Sequence, residues 1–305
     1  MLYSKLLIKF AFCNAKRVII IDMKQIIQHL TDNDAYTFSC QYYVLQKYPR
    51  AEVEYTFFDR NKERFPHGFG ELLKEQIGFM PHVMITEDEI AFMKRRMYYL
   101  PEWYFTFLRG YRFNPHEVSV SQDEEGHLDI SVRGKWFSTI MWEMPILSIV
   151  SELMHNLRGD IQRYDPEREH ERAIEKTREI LTGGLVLGDM GTRRRLSFDH
   201  QDMVIRTMKE VFEQGGYTDD EGFHKWTGRF TGTSNVYLAM KYDLIAIGTM
   251  SHQLIEFEEN VSGVFECNFN VMKKFSDVYD GDNGIYLYDC FGDRVFFSNL
   301  SKRMA

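Results

Sequence analysis

The stretch LTGGLVLGDMGTRRRLSFDH, residues 181–200, decides how the second half of the chain is read. Gly183-Gly184 closes a helix that starts at Asp165-Pro166, with Asp as N-cap and Pro at the first helical position. Ala173, Thr177, Ile180 and Leu181 share one face of it. Leu185-Val186-Leu187 then reads as a short buried strand, and Ser197 as the cap of the next helix. In that helix Val204, Met208, Val211 and Phe212 form an apolar stripe, ended by Gly215-Gly216. The rhythm continues beyond it. Ser234 is placed to cap a third helix, Asn235 to Lys241, and Leu244 to Ile247 reads as a strand. Strand and helix alternate, which predicts a parallel α/β layer or barrel, with chemistry at the C-terminal ends of the strands.

The first half is patterned differently. Thr31 to Asn33 offers N-cap chemistry for a helix running through Gln46. Val53, Tyr55 and Phe57 alternate with polar residues, as in a half-buried strand. Val118 to Ser121 and Leu128 to Val132 also alternate around the turn-prone Asp123-Glu124-Glu125-Gly126, which predicts a hairpin.

Composition narrows the function classes. With 44% hydrophobic residues among 305, the chain is globular and long enough for two structural units. A formal net charge of -8 argues against non-specific nucleic-acid binding, so an anionic ligand needs a local basic pocket. Cys13, Cys40, Cys267 and Cys290 show no metal spacing and read as reduced thiols of a cytoplasmic protein. No apolar run is long enough for a membrane span. Residues 1–22 are mildly basic with short apolar patches, and translation is expected to start at Met23, which makes 1–22 a non-native extension.

Four segments hold the candidate chemistry. Gly188 to Arg195 combines glycines with three arginines, whose planar forks suit carboxylate or phosphate; a solvated basic loop is the plainer reading. Thr231 to Val236 puts hydroxyls at a helix start, which favours an anion or serves only as a cap. Ile247 to Gln253 follows an apolar strand, and there His252 reads as base, acid or nucleophile, or as a structural histidine. Asp32 to Tyr36 sets an aromatic ring beside carboxylates, for stacking or for core packing. These residues reach an α/β protein with an anion pocket and choose no reaction.

In this order the segments resemble the nicotinate phosphoribosyltransferase family. Asp34-Ala35-Tyr36 matches its Asp-x-Tyr, and Trp142-Glu143-Met144-Pro145 its Trp-Glu-x-Pro. Gly191 to Arg194 matches Gly-Thr-Arg-Arg, Gly232 to Val236 matches Gly-Thr-Ser-Asn-Val, and Gly248 to His252 matches Gly-Thr-Met-x-His. Tyr99 to Phe113, YLPEWYFTFLRGYRF, is similar to the stretch before the family's hairpin. The likeness runs from about Leu30 to Ala305. It implies an α+β N-terminal domain over 23–140 and, over 141–305, an irregular α/β barrel of the type II phosphoribosyltransferase kind.

It also implies a chemistry. Nicotinate and phosphoribosyl pyrophosphate, with substrate-bound Mg2+, give nicotinate mononucleotide and pyrophosphate for NAD synthesis, while ATP is hydrolysed through a phosphohistidine. By motif match that histidine is His252; Tyr36 stacks on the nicotinate ring and Thr249 touches it. Arg193 and Arg194 are expected at the nicotinate carboxylate or the pyrophosphate, and Thr233 and Ser234 among the substrate-binding residues. No protein metal site is implied, and a homodimer is expected. Met190, Ala35 and Gln253 stand where the family commonly has an aromatic residue, leucine and glutamate. The family's Arg-x-Asp-Ser-Gly-Asp-Pro motif is absent, so the barrel is expected to be truncated and incomplete. The alternative is a non-catalytic relic that binds nicotinate or a partner chain.

Overall fold

The computed structural model describes residues 24–59, 62–220 and 222–300; the expected extension over residues 1–22 lies outside them. The first long helix, α1 (Ala35–Lys47), is buried on nearly every face, from Ala35 through Val44, so it is a central helix and not an amphipathic one. Its cap differs from the expectation at Thr31 to Asn33. Asp34 holds the N-cap position, and its side chain makes no capping bond. That carboxylate instead accepts from the Ser234 hydroxyl at 2.8 Å, a tertiary contact that local sequence does not encode.

Strand β1 (Glu52–Thr56) follows, then helices α2 (Phe69–Phe79), α3 (Glu87–Arg96) and α4 (Glu102–Gly110). A capping box between Thr86 and Glu89 starts α3. The predicted hairpin forms as β2 (Val118–Gln122) and β3 (Leu128–Lys135), with Val120 opposite Ile130. Gly126 turns it at φ 86°, a conformation suited to glycine. β1 pairs antiparallel with β3, giving the order β1-β3-β2. The short α5 (Trp136–Thr139) and then α6 (Glu143–Leu157) lead out of this sheet.

The second half alternates as predicted, with local departures. α7 (Pro166–Thr182) starts at Asp165, which accepts from the Glu167 and Arg168 amides. Strand β4 (Val186–Asp189) forms where a buried strand is expected, but Leu185 and Val186 are each 60% exposed. The reason is position: β4 is an edge of the described sheet. Helix α8 (Phe198–Glu213) starts at Ser197 as expected. Its buried line is Gln201, Ile205, Thr207 and Val211, so only Val211 of the expected stripe is fully buried. A hairpin absent from the sequence reading, β5 (Gly216–Asp219) and β6 (Gly222–Lys225), precedes β7 (Arg229–Thr233). Asn235, not Ser234, caps α9 (Val236–Lys241), accepting from the Leu238 amide. β8 (Ile245–Ala246), α10 (His252–Ser262), α11 (Cys267–Tyr279) and α12 (Asp293–Asn299) complete the described chain.

β4, β7 and β8 form a parallel sheet in the order β4-β7-β8. The fold is therefore α/β, and among the described residues this sheet stays open and does not close into a barrel. One buried apolar cluster runs from Ile27 to Phe296 and joins α1, the β1-β3-β2 sheet, α9 and the helices α10 to α12. Trp136, Trp142, Tyr43 and Tyr104 are fully buried in it. Burying a ring of this size contributes about 4–6 kcal/mol before the entropy of ordering it is subtracted. A second cluster, Leu181, Val211 and Trp226, lies under the β5–β6 hairpin. No helix among the described residues is long and apolar enough to cross a membrane.

Candidate active site

Three motif segments are stitched together behind the site. The Ala35 amide donates to the Ser234 carbonyl, the Val236 amide to Asn33, and the Ser234 amide to Asp189. Side chains reinforce this frame. Arg195 grips Asp32 with both terminal nitrogens, at 2.7 and 2.9 Å, and its Nε lies 3.4 Å from Glu152. Asn235 donates to the same Asp32 at 2.7 Å. All these groups are buried or nearly so, and each carboxylate meets donors, as a buried charge requires.

This frame holds one wall of a cavity of about 550 Å3. Tyr55 of β1, Ile130 and Val132 of β3, and Phe57, Trp142 and Ile146 also line it. The cavity is thus largely apolar with a few polar groups, the usual make-up of a small-molecule site. Its ionisable lining is Asp34, Glu143, Glu256, Arg193 and His252. Burial pushes the Glu143 carboxyl up, opposed by Arg193 and by the Tyr36 hydroxyl. Burial likewise raises Asp34, against hydrogen bonds from Thr192 and Ser234. Tyr36 donates to Glu143 Oε2 at 3.0 Å, and Arg193 Nη1 lies 3.4 Å from Oε1. The Arg193 Nε is buried and has no partner among the described residues.

Comparison with known proteins shows the family of the chain. Residues 31–151 match the model of the nicotinate phosphoribosyltransferase N-terminal domain, and 185–305 that of the nicotinate phosphoribosyltransferase family. A nicotinate phosphoribosyltransferase of Chromohalobacter salexigens is 34% identical over 279 residues, covering 92% of this chain and 67% of the relative. The chain belongs to the nicotinate phosphoribosyltransferase family. One of Methanosarcina acetivorans is 33% identical, covering 92% of this chain and 69% of the relative. The crystal structure of nicotinate phosphoribosyltransferase from Porphyromonas gingivalis superposes with a TM-score of 0.80 at 34% identity, over 92% of this chain and 68% of that one. A putative nicotinate phosphoribosyltransferase from Saccharomyces cerevisiae gives 0.82 at 27% identity, with 92% and 68% covered.

The nicotinate phosphoribosyltransferase motifs do not all meet the cavity. Tyr36, Arg193, Ser234, Thr249 and His252 line it. Arg194 is exposed and does not line it. Thr233 is buried behind the wall, its hydroxyl donating to Asp189 Oδ2 at 2.8 Å. Ser234 lines the cavity, and its hydroxyl is committed to Asp34. His252 is the first residue of α10, exposed, with Nε2 2.9 Å from Asp289 Oδ1. Asp289 and Gln253 had no role in the sequence reading, and Glu143 entered it only as a motif letter. Their partners lie more than thirty residues away, so no local signal could reveal them.

Proposed function

We propose that this chain joins nicotinate to the phosphoribosyl group of phosphoribosyl pyrophosphate, releasing pyrophosphate, with ATP hydrolysis coupled through His252. One observation carries the reading: Tyr36, Arg193, Thr249 and His252, from three separate stretches, converge on one largely apolar cavity. Nicotinate is a flat ring with a single carboxylate. The ring suits Tyr36 and the apolar sheet wall, and the carboxylate suits the Arg193 guanidinium that lines the cavity. A neutral amide in place of that carboxylate would leave the guanidinium underpaired, which favours nicotinate over nicotinamide.

Breaking the bond to pyrophosphate builds positive charge on the sugar. Asp34, Glu143 and Glu256 line the same cavity and suit a developing cation. Mg2+ is assigned to the substrate phosphates, whose oxygens suit this hard cation. The ionised Asp289 only accepts, so His252 Nε2 is its donor and Nδ1 keeps the lone pair. Nδ1 then takes the terminal phosphoryl group of ATP: an N–P bond forms and the P–O bond to ADP breaks. The group would sit at the N-terminus of α10, where the helix dipole favours negative charge.

The test is nicotinate mononucleotide formation by the chain from nicotinate, phosphoribosyl pyrophosphate and Mg2+, with and without ATP. Product that rises with ATP, and loses that rise in His252→Ala, is the expected result. A second reading, binding without turnover, is favoured by the open sheet with Leu185, Val186 and Ile245 exposed. Nicotinate binding by calorimetry, with no product from a folded chain, would select it.

A further inference from the structure

An anion that enters this cavity meets more acid than base. Asp34, Glu143 and Glu256 line it, and among its described lining residues Arg193 is the one permanent cation, with His252 as the other basic group. That guanidinium is already shared, since its Nη1 lies 3.4 Å from Glu143 Oε1. The other oxygen, Oε2, accepts from the Tyr36 hydroxyl at 3.0 Å and from the Gln253 amide at 3.3 Å. Gln253 is held in turn by the Tyr55 hydroxyl and the Trp136 indole, which both donate to its Oε1, and the indole also donates to Tyr55 at 2.6 Å. A ligand carboxylate paired with Arg193 therefore arrives beside a second carboxyl that its own hydrogen bonds keep in place.

We propose that Glu143 takes up one proton from solvent when nicotinate binds, and that its Oε1 then donates to the nicotinate carboxylate while Arg193 pairs with the remaining charge. This rests on the reading of the cavity as a nicotinate site. Two carboxylates at one guanidinium repel, and one shared proton turns that repulsion into a charge-assisted hydrogen bond. Oε1 is the oxygen open to the proton, because Oε2 already accepts from two donors. The other two carboxyls suit the task less. Asp34 is buried and committed to Ser234, and Glu256 is exposed to solvent. The surroundings of Glu143 favour the protonated form once a further anion arrives. Burial pushes its carboxyl up, Arg193 and the Tyr36 hydroxyl oppose this, Asp34 adds negative charge, and His252 opposes it. The Cys40 thiol and the Tyr55 hydroxyl also face it; burial raises both, so they stay neutral. Nicotinamide brings no charge and needs no proton. Binding linked to proton uptake weakens as pH rises, so the preference for nicotinate over nicotinamide should be greatest at the acid end.

The test is calorimetry of nicotinate binding from pH 5.5 to 8.5, each pH in two buffers of different ionisation enthalpy, which counts the protons bound. The wild-type chain is expected to take up as much as about one proton per nicotinate, with affinity falling by up to about tenfold per pH unit where uptake is complete. Benzoate, a carboxylate without a ring nitrogen, should bind with the same uptake, which places the proton on the protein. Glu143→Gln, which still accepts from Tyr36, should bind nicotinate with no uptake and with an affinity that does not change with pH. Infrared difference spectra should show a protonated carboxyl band appearing when nicotinate binds to the wild type and not to the variant. Nicotinate binding without proton uptake overturns the proposal, as does uptake that persists in Glu143→Gln or is absent with bound benzoate. If circular dichroism shows the variant unfolded, the wild-type infrared spectrum decides: a new protonated carboxyl band supports the proposal and its absence overturns it. A wild-type chain that binds no nicotinate at any pH overturns the reading of the cavity, and the proposal with it.

Discussion

Arg195 is the third of three successive arginines, and all three look alike in the sequence. Only 1% of its side chain is exposed, Arg193 opens onto the cavity, and Arg194 faces solvent. The turn Thr192–Arg194 gives consecutive side chains different directions, so one basic run supplies a frame, a binding group and a surface charge. Glu152 beside Arg195 carries a pH consequence. Burial pushes its carboxyl up to about 7, against the pull of Arg195 and the Phe198 amide, with Asp32 and Asp199 nearby as further anions. A carboxyl raised on folding holds its proton more tightly in the folded state. Its stabilising contribution is full below the unfolded value near 4.5 and is lost as pH rises through about 7. Glu152→Gln, which can still accept from Phe198, should remove that slope. Urea midpoints measured from pH 4.5 to 8 should fall with pH in the wild type more than in the variant, and parallel curves would refute the assignment.

At the scale of elements, the parallel sheet depends on a backbone approach that only glycine permits. Gly232 in β7 has φ 142°, and a Cβ there would overlap the Ile245 carbonyl oxygen of β8. Gly232→Ala should therefore destabilise the fold by roughly 1–3 kcal/mol, read as a lower urea midpoint with an unchanged slope. An unaltered midpoint would mean that the two strands tolerate a wider spacing. The same elements mark what periodicity could foresee. α7 and the β2–β3 hairpin form where capping and alternation put them, because both signals are local. The line that α8 buries is set by what packs against it, so Ile205 and Gln201 displace Val204 and Met208. The β5–β6 strands are four residues each, too short for alternation to stand out.

At the scale of the whole molecule, the two sheets play unequal parts. The antiparallel sheet is joined to the main core and walls the cavity, whereas the parallel sheet leaves apolar residues in water. Leu185 and Val186 at the β4 edge are each 60% exposed, and Ile245 at the β8 edge is 55% exposed. An unpaired apolar edge of this kind promotes association. Combining Leu185→Lys with Val186→Thr should lower concentration-dependent light scattering and hydrophobic-dye fluorescence. The melting temperature should move by less than about 2 °C, since little packing is lost. A large drop in melting temperature would mean that these side chains are covered in solution.

The order of the motifs, read from the chain alone, was enough to point to the family. Cap residues and alternation located most of the helices and the antiparallel hairpin, because their physics acts within a few residues. Tertiary structure decided which motif residues face the cavity. Tyr36 and Arg193 open onto it, while Thr233 and Arg195 are turned into the frame behind it. It also decided that Glu143, Gln253, Tyr55 and Trp136 act together, although they lie about eighty to two hundred positions apart in part. Hydrogen bonds and burial depend on distance in space, and only the folded chain brings such positions within reach.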